Sequence, residues 1–175
     1  MFDSFKRYST SITIQDVEEI TRLLGRKPRG LRAIAIRTAS GQPAVLQVAS
    51  LVENKPFPTL FWLVNPQLNR AIDQLEASGL IVQLQKKLDT EQTSQQQLAD
   101  AHRAHIQLRW DLMTDDDRRR IQQLGFEQVF KERGIGGIQN FNRIRCLHTY
   151  YAAHLVSQNV IGKWLDARWQ AEESE

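Results

Sequence analysis

The segment TLFWLVNPQLNRAIDQLEASG, residues 59–79, changes from one type of secondary structure to another at a single Asn-Pro pair. Residues 59–64 are rich in aromatic and aliphatic side chains, which favours a β-strand. Asn65 is a preferred helix N-cap, and Pro66 suits the first helical position. Apolar residues then recur at helical spacing up to Gly79, namely Leu68, Ala71, Ile72 and Leu75. The segment therefore predicts a strand that leads directly into an amphipathic helix.

A helix and two strands are predicted before this segment. Thr13 and Asp16 resemble a capping box, and apolar residues follow at helical spacing, so a helix is predicted over residues 14–24. Residues 31–38 and 44–52 are typical of strands, and the short Gly- and Pro-containing stretch between them predicts a hairpin loop. The N-terminal half thus supplies about three strands.

Helices dominate the chain after Gly79. Residues 80–88 fit a strand or a helix, and we favour a helix. Residues 91–112 are polar and glutamine-rich with one apolar face, which predicts a solvent-facing helix. Three more helices are predicted: one capped by Thr114 and ended by Gly125, one over residues 126–133, and one over about 160–172.

This order of elements indicates an α+β fold, in which a small antiparallel sheet of about three strands packs against a mostly helical C-terminal half, with the helices on one face. A boundary near residue 90 is an alternative, but it would leave a thin N-terminal core. We expect one domain over residues 1–175, with the first helix and the sheet at about 12–88 and the helical part at about 91–172.

The composition narrows the class of protein. The chain has 175 residues, of which 41% are hydrophobic and 25% charged, values that are ordinary for a soluble globular protein. No apolar run approaches the length of a membrane span or a signal-peptide core, so we expect a cytoplasmic protein with no membrane partner. The single cysteine excludes an internal disulfide and an all-cysteine metal site. A net charge of +3 is too small for a dedicated nucleic-acid binder, so we disfavour nucleic acid as a partner.

A second stretch, GIGGIQNFNRIRCLHTYYAAHL at residues 134–155, holds three glycines, the cysteine and two histidines. It matches neither the dinucleotide fingerprint, because Gln139 stands at the last glycine position, nor a P-loop. We interpret Gly134 as the left-handed residue that ends the preceding helix. The two glycines that follow would form a tight turn before Asn140 or Asn142 caps the next helix. An anion held at that helix N-terminus is the alternative.

The helix predicted after this turn has no lysine or glutamate, so we expect it to be central. On a helical wheel Arg145 and His148 are i,i+3 neighbours, in or near a cleft. The partner of Arg145 would be either a carboxylate of this chain or a bound anion. Cys146 and His148 diverge by about 200° on the same wheel, which excludes a direct nucleophile–base pair. We therefore interpret Cys146 as a small buried hydrophobic residue.

No metal site is predicted from the residues. Cys146 and His148 lack further ligands nearby in the sequence. His102 and His105 are spaced to share an ion, but no third ligand accompanies them, and a plain helix surface explains them better. We accordingly predict no cofactor and no metal.

Three segments resemble a known family. LGRKPRG (24–30), PFPTLFWLVNPQLNRAIDQLEASG (56–79) and the stretch 134–155 followed by NVIGKWLD (159–166) are similar to the bacterial family called "domain of unknown function 501". The resemblance implies a small cytosolic bacterial protein and brings no assigned activity. It also implies cysteines in the loop after the first strand and just before the Asn-Pro pair. Together with Cys146 of the Cys-Leu-His motif, those cysteines would suggest a metal site. This chain has Thr38-Ala-Ser-Gly41 and Val64-Asn65 at those places, so only Cys146 and His148 remain and we expect such a site to be lost.

The leading functional hypothesis is a site for a phosphate- or carboxylate-bearing ligand. Arg26, Arg29 and Arg145 would supply charge, while Asn142, His148 and Thr149 would supply hydrogen bonds. His148 is a weak candidate for proton transfer, and no nucleophile or acid pair supports an enzyme or excludes one. The alternative is an interaction protein that docks a partner through helix 91–112 and the Trp164/Trp169 helix. Exposed tryptophans would favour docking, and a basic pocket beside His148 would favour the ligand site.

Overall fold

The computed structural model of the chain describes residues 6–9 and 11–173. A four-stranded antiparallel sheet runs in the order β1-β2-β3-β6, and a two-stranded ribbon joins β4 to β5. The strands are β1 (Lys6–Ser9), β2 (Leu31–Arg37), β3 (Pro43–Val48), β4 (Leu51–Val52), β5 (Lys55–Pro56) and β6 (Phe61–Leu63). In the register of the central pair Leu46 lies opposite Ile34, and on its other side Leu46 faces Trp62.

Eight helices surround the sheet in the described part of the chain. They are α1 (Ile14–Leu24), α2 (Pro66–Ala77), α3 (Leu80–Thr90), α4 (Gln92–Leu112), α5 (Asp115–Gln123), α6 (Glu127–Glu132), α7 (Leu147–Val156) and α8 (Val160–Glu173). The α+β prediction is confirmed. The Thr13–Asp16 capping box and the Asn65 N-cap are both formed, which explains why α1 and α2 begin where the sequence predicts.

The sheet differs from the prediction in two places. A fourth strand, β1, pairs with β2. The strand predicted over 44–52 is wrong after Val48, because the chain leaves the sheet there and β4 turns back on β5. Glu53 and Asn54 make this turn with positive φ angles of 53° and 62°. A two-residue turn with both central residues in this region matches the twist of a hairpin.

The sheet is covered on both faces rather than on one. Ile20 of α1 packs with Ile34, Leu46 and Val64 on one face. The opposite face meets the larger core, to which α2, α3, α4, α7 and α8 contribute. Helix α7 lies at the centre of that core, as predicted, and residues 150–154 are all buried.

The helix α4 exposes its glutamine-rich face to solvent, as predicted, but its opposite face is buried in the core. His102, His105 and Arg109 are buried, so the expectation of a plain histidine-bearing surface is wrong. Sequence spacings of three and four residues put these side chains on one stripe, which faces inward beside the apolar residues. Its glutamine-rich face supplies the solvent-exposed side.

The glycine stretch also differs from the prediction. Gly134 has φ −84° and is not left-handed. A Cβ on Gly134 would lie 2.2 Å from His102 Nδ1, so close packing is what requires glycine here. The following helix begins at Leu147 and not near Asn142. The amide of Gln85 binds the Asn142 carbonyl and the Ile144 N–H, so these backbone groups are satisfied without a helix.

Candidate functional site

A cavity lined by three basic side chains lies just after α1, where Gly25 ends the helix in a left-handed conformation. This cavity, here called the basic cleft, has a volume of about 520 Å³. It is lined by Arg26, Lys27, Arg29, Val52, Phe57 and Trp62. The turn supplies the cations, and the segment from β4 to β6 supplies the apolar and aromatic side.

Contacts inside the basic cleft leave its cations available. The Arg26 guanidinium carbon lies 5.4 Å from the centre of the Trp62 ring, within cation–π range. Phe57 meets Trp62 edge to face at 5.5 Å. Arg29 forms an ion pair of 3.3 Å with Glu53, but the side chains are 68% and 66% exposed. Such an exposed pair is worth at most about 1 kcal/mol, so an anionic ligand can compete for Arg29.

Arg145 does not share the basic cleft with Arg26 and Arg29. It is exposed and lines a separate groove of about 350 Å³ with Arg133 and residues 137–140. Among the described residues, no carboxylate lies within ion-pairing distance of Arg145. Of the two partners considered for Arg145, an internal carboxylate is therefore excluded for the described residues.

The other two polar residues of the predicted site, Asn142 and Thr149, lie outside both cavities. Asn142 is exposed, and its carbonyl accepts a hydrogen bond from Gln85. Thr149 donates its hydroxyl hydrogen to the Cys146 carbonyl at 3.0 Å and lies against Gly136. Neither residue lines the basic cleft or the Arg145 groove.

Cys146 and His148 do form a direct pair, against the prediction from the helical wheel. Cys146 Sγ lies 3.8 Å from His148 Nδ1. The wheel does not apply because Cys146 is the N-cap of α7, with extended dihedrals of φ −149° and ψ 118°. Cys146 is only half-buried, so its interpretation as a buried hydrophobic residue is wrong as well.

Carboxylates from α2 complete the surroundings of this pair. Glu76 Oε1 lies 3.4 Å from His148 Nδ1 and accepts the Leu147 N–H at 2.6 Å. On the other edge of the ring, His148 Nε2 lies 3.3 Å from both Asp73 Oδ1 and the Asn69 carbonyl. Within the described residues His148 therefore faces acidic groups, which does not match the basic pocket that would favour the ligand site.

The pair is arranged to ionise. The hydrogen bond with Cys146 raises the pKa of His148 to about 9, burial opposes the rise, and the charges of the Cys146 thiolate and Glu76 add to it. Burial disfavours the Cys146 thiolate, but hydrogen bonds with His148 and Thr149 outweigh it and lower the pKa of this cysteine. The group can act as a thiolate–imidazolium pair or supply ligands to a cation. We call Glu76, Cys146 and His148 the α2–α7 cluster.

A buried polar network supports the segment that leads into the α2–α7 cluster. The Arg109 guanidinium donates to the carbonyls of Phe130, Arg133 and Gly134, at the C-terminal end of α6. His102 Nδ1 accepts the Ile135 N–H at 3.0 Å, and its Nε2 lies 3.2 Å from the Tyr150 hydroxyl. The sequence contained a signal for this network, the inward stripe of α4 noted above.

Comparison with known proteins identifies the family. The model of the family described as "Protein of unknown function (DUF501)" matches residues 34–167. The chain belongs to this family, as the resemblance of its motifs implied. No curated protein and no solved structure matches the chain. Over the described residues, no helix combines the length and the apolar character that a membrane crossing requires.

Proposed function

We propose that the protein binds a small anionic molecule in the basic cleft. The observation that carries the proposal is the presence of three cationic and two aromatic side chains around one cavity, formed by Arg26, Lys27, Arg29, Phe57 and Trp62. The volume of about 520 Å³ is typical of small-molecule sites. Arg26 and Arg29, predicted from the sequence as ligand-binding residues, are the central pair.

The chemistry of the lining favours a phosphate-bearing ligand with a flat apolar part. Guanidinium groups bind phosphate and carboxylate oxygens through two parallel hydrogen bonds. Trp62 and Phe57 form the apolar side of the cleft, where the Arg26 guanidinium lies over the Trp62 ring and the two rings meet edge to face. A nucleoside phosphate combines both features, whereas a simple dicarboxylate would use the cations alone.

Arg145 belongs to a second, smaller basic groove in this proposal. Arg133 lines the same groove, so this groove can compete with the basic cleft for simple anions. His148, Asn142 and Thr149 are not assigned to the anion site, because acidic groups flank His148 and the other two line neither the basic cleft nor the Arg145 groove.

Docking of a protein partner through the C-terminal helices has less support. Trp169 is only 8% exposed and packs edge to face on Tyr151 at 5.1 Å. Lys87 covers the face of Trp164, with its ammonium 4.4 Å from the ring centre. These two side chains therefore do not offer the exposed aromatic patch that this alternative needs.

The test is a thermal-shift panel of inorganic phosphate, nucleoside mono- and diphosphates and dicarboxylates. A ligand present at 100 times its Kd stabilises the folded state by about 2.7 kcal/mol. We expect a nucleoside phosphate to stabilise the wild type and to have no effect on the double variant Arg26→Gln/Arg29→Gln. The double variant Arg22→Gln/Arg103→Gln removes two exposed arginines outside the cleft and should respond like the wild type.

Two results would contradict the proposal. One is the absence of any thermal shift of the wild type across the whole panel at millimolar ligand. The other is a shift that Arg145→Gln abolishes while Arg26→Gln/Arg29→Gln retains it, because that result assigns the ligand to the second groove.

A further inference from the structure

We propose that the α2–α7 cluster is a binding site for a divalent ion of the zinc type. Glu76, Cys146 and His148 each offer one ligand atom, and these atoms lie within 4.8 Å of one another. A thiolate, an imidazole and a carboxylate are all ligands that zinc accepts in proteins. Glu76 comes from α2, and the other two from the start of α7.

Two of the three separations between the ligand atoms match those of a tetrahedral site. With metal–sulfur and metal–nitrogen bonds of about 2.3 and 2.05 Å, a tetrahedral angle separates the two ligand atoms by about 3.6 Å. The corresponding separation of nitrogen and oxygen is about 3.4 Å. The distances are 3.8 Å from Cys146 Sγ to His148 Nδ1 and 3.4 Å from that nitrogen to Glu76 Oε1. The third separation, between Cys146 Sγ and Glu76 Oε1, is within 4.8 Å, so a bound ion would draw these two side chains together.

The orientation of the His148 ring is a second, independent observation. Its Nδ1 faces the other two ligands, while its Nε2 lies 3.3 Å from the Asn69 carbonyl and from Asp73. Metal-binding histidines usually donate the N–H of the free ring nitrogen to a carbonyl or carboxylate, which fixes the tautomer. His148 has these outer partners in place on the edge that points away from the cluster.

The charges around the cluster also favour a cation. In the part of the chain that the structure describes, His148 is the only basic group that forms an ion pair with Asp73 or Glu76. A bound ion would take the place of the His148 proton between the thiolate and the carboxylate. Binding would therefore release a proton and weaken as the pH falls.

The donor set selects among metals and leaves one position open. Thiolate and imidazole favour zinc over magnesium and calcium, which prefer oxygen ligands. Asp73 is on the Nε2 side of the ring and is 70% exposed, so it acts as an outer partner. Three protein ligands leave the fourth tetrahedral position for water or an exogenous ligand, an arrangement typical of catalytic zinc sites.

The proposal is tested with cobalt as a spectroscopic substitute for zinc. Metal-depleted full-length protein is titrated with Co²⁺ and then with Zn²⁺. We expect one equivalent of Co²⁺ to give tetrahedral d–d bands and a near-ultraviolet thiolate-to-cobalt band, both abolished by Zn²⁺. Cys146→Ser should remove the near-ultraviolet band, and His148→Gln and Glu76→Gln should each weaken binding at least about tenfold.

Matched variants separate loss of ligands from loss of folding. Glu76→Gln keeps an oxygen acceptor for the Leu147 N–H, so its helix start is preserved. Asp111→Asn removes an exposed carboxylate of α4 and should bind cobalt like the wild type. Arg26→Gln/Arg29→Gln should also bind like the wild type, because the basic cleft is a different site. Thermal melting of each metal-free variant establishes that it is folded.

A thiol reagent gives a second readout, since Cys146 is the only cysteine of the chain. Saturating Zn²⁺ should slow its alkylation at least about tenfold, because a metal-bound thiolate is a weaker nucleophile. The proposal is overturned if wild type and Cys146→Ser bind equal amounts of cobalt, or if zinc leaves the alkylation rate of Cys146 unchanged. Either result would leave the cluster as a metal-free thiolate–imidazolium pair.

Discussion

The basic cleft and the α2–α7 cluster are built in opposite ways. The cleft takes its cations from an exposed turn that follows α1, and their side chains have few fixed partners. The cluster takes its ligands from α2 and the N-terminal end of α7, where backbone and side-chain contacts hold each of them. The side chains of the cleft can therefore adapt to a ligand, whereas those of the cluster are already arranged for one.

The family match separates the two regions further. Glu76, Cys146 and His148 all lie within residues 34–167, whereas Arg26 and Arg29 precede the matched part. The ligands of the cluster are therefore in the region that defines family membership. The cations of the cleft lie outside the matched residues, and only the resemblance of LGRKPRG (24–30) links them to the family.

Of the substitutions considered, Arg109→Leu should reduce the free energy of unfolding most, because Arg109 is the centre of the buried polar network. The substitution removes the guanidinium hydrogen bonds to the carbonyls of Phe130, Arg133 and Gly134, of which the last keeps the Gly137 N–H as a donor. We expect the free energy of unfolding in urea to fall by about 3 kcal/mol or more. Arg103→Leu on the exposed side of α4 is the control and should change it by less than about 0.5 kcal/mol. Equal effects of the two substitutions would contradict the role of the network.

Acid should weaken the same network. Burial lowers the pKa of His102 to about 4, from an ordinary value of 6.5. As the pH falls, the unfolded chain therefore takes up this proton before the folded chain does. The contribution of neutral His102 to the free energy of unfolding is complete above pH 6.5 and is lost as the pH falls towards 4. The loss attributable to His102 is about 3 kcal/mol.

Urea unfolding at several pH values measures this loss. His102→Gln keeps hydrogen-bonding groups at the position but does not titrate, so its stability should fall less between pH 6.5 and 4. His105, whose pKa burial lowers to about 3, contributes to the slope that remains. A His102→Gln profile as steep as that of the wild type would show that His102 is not the source.

Within the cluster, Glu76→Ala should lower the free energy of unfolding of the metal-free protein by less than the changes in the buried network do. Glu76 acts like a helix cap, because its carboxylate accepts the first N–H of α7 from Leu147. Loss of such a bond destabilises a protein by about 1 kcal/mol. Glu76→Gln should retain most of the stability, and Glu18→Ala, at an exposed position of α1, serves as a control. Thermal melting without metal measures all three, and a Glu76→Ala protein as stable as wild type would remove the capping role.

The smallest effect is expected in the basic cleft. Arg29→Ala should change the free energy of unfolding by less than about 0.5 kcal/mol, because its only described ion pair is exposed. The same substitution should weaken anion binding. A destabilisation above 1 kcal/mol would mean that Arg29 supports the fold, and the contrast between an adaptable cleft and a fixed cluster would then fail.

Local signals explain which elements could be predicted. The capping box at Thr13, the Asn65-Pro66 pair and the cap at Thr114 each satisfy N–H groups within a few residues, so α1, α2 and α5 begin where expected. The division of the 44–52 strand was missed, because it depends on a turn of two residues with positive φ that are not glycine. Arg26 and Arg29 could be found as a basic pair, but their aromatic neighbours come from distant positions.

Local sequence patterns set the order of helices and strands, the start of the helices with local caps, and the kinds of side chain that a site can use. Long-range contacts in the folded chain set which of these side chains lie together. Gln85 satisfies the backbone before α7 and delays the helix, so Cys146 becomes an extended N-cap beside His148. Glu76 then reaches them from a separate helix. Hydrogen bonds and packing across long sequence separations made these choices, and no local pattern encodes them.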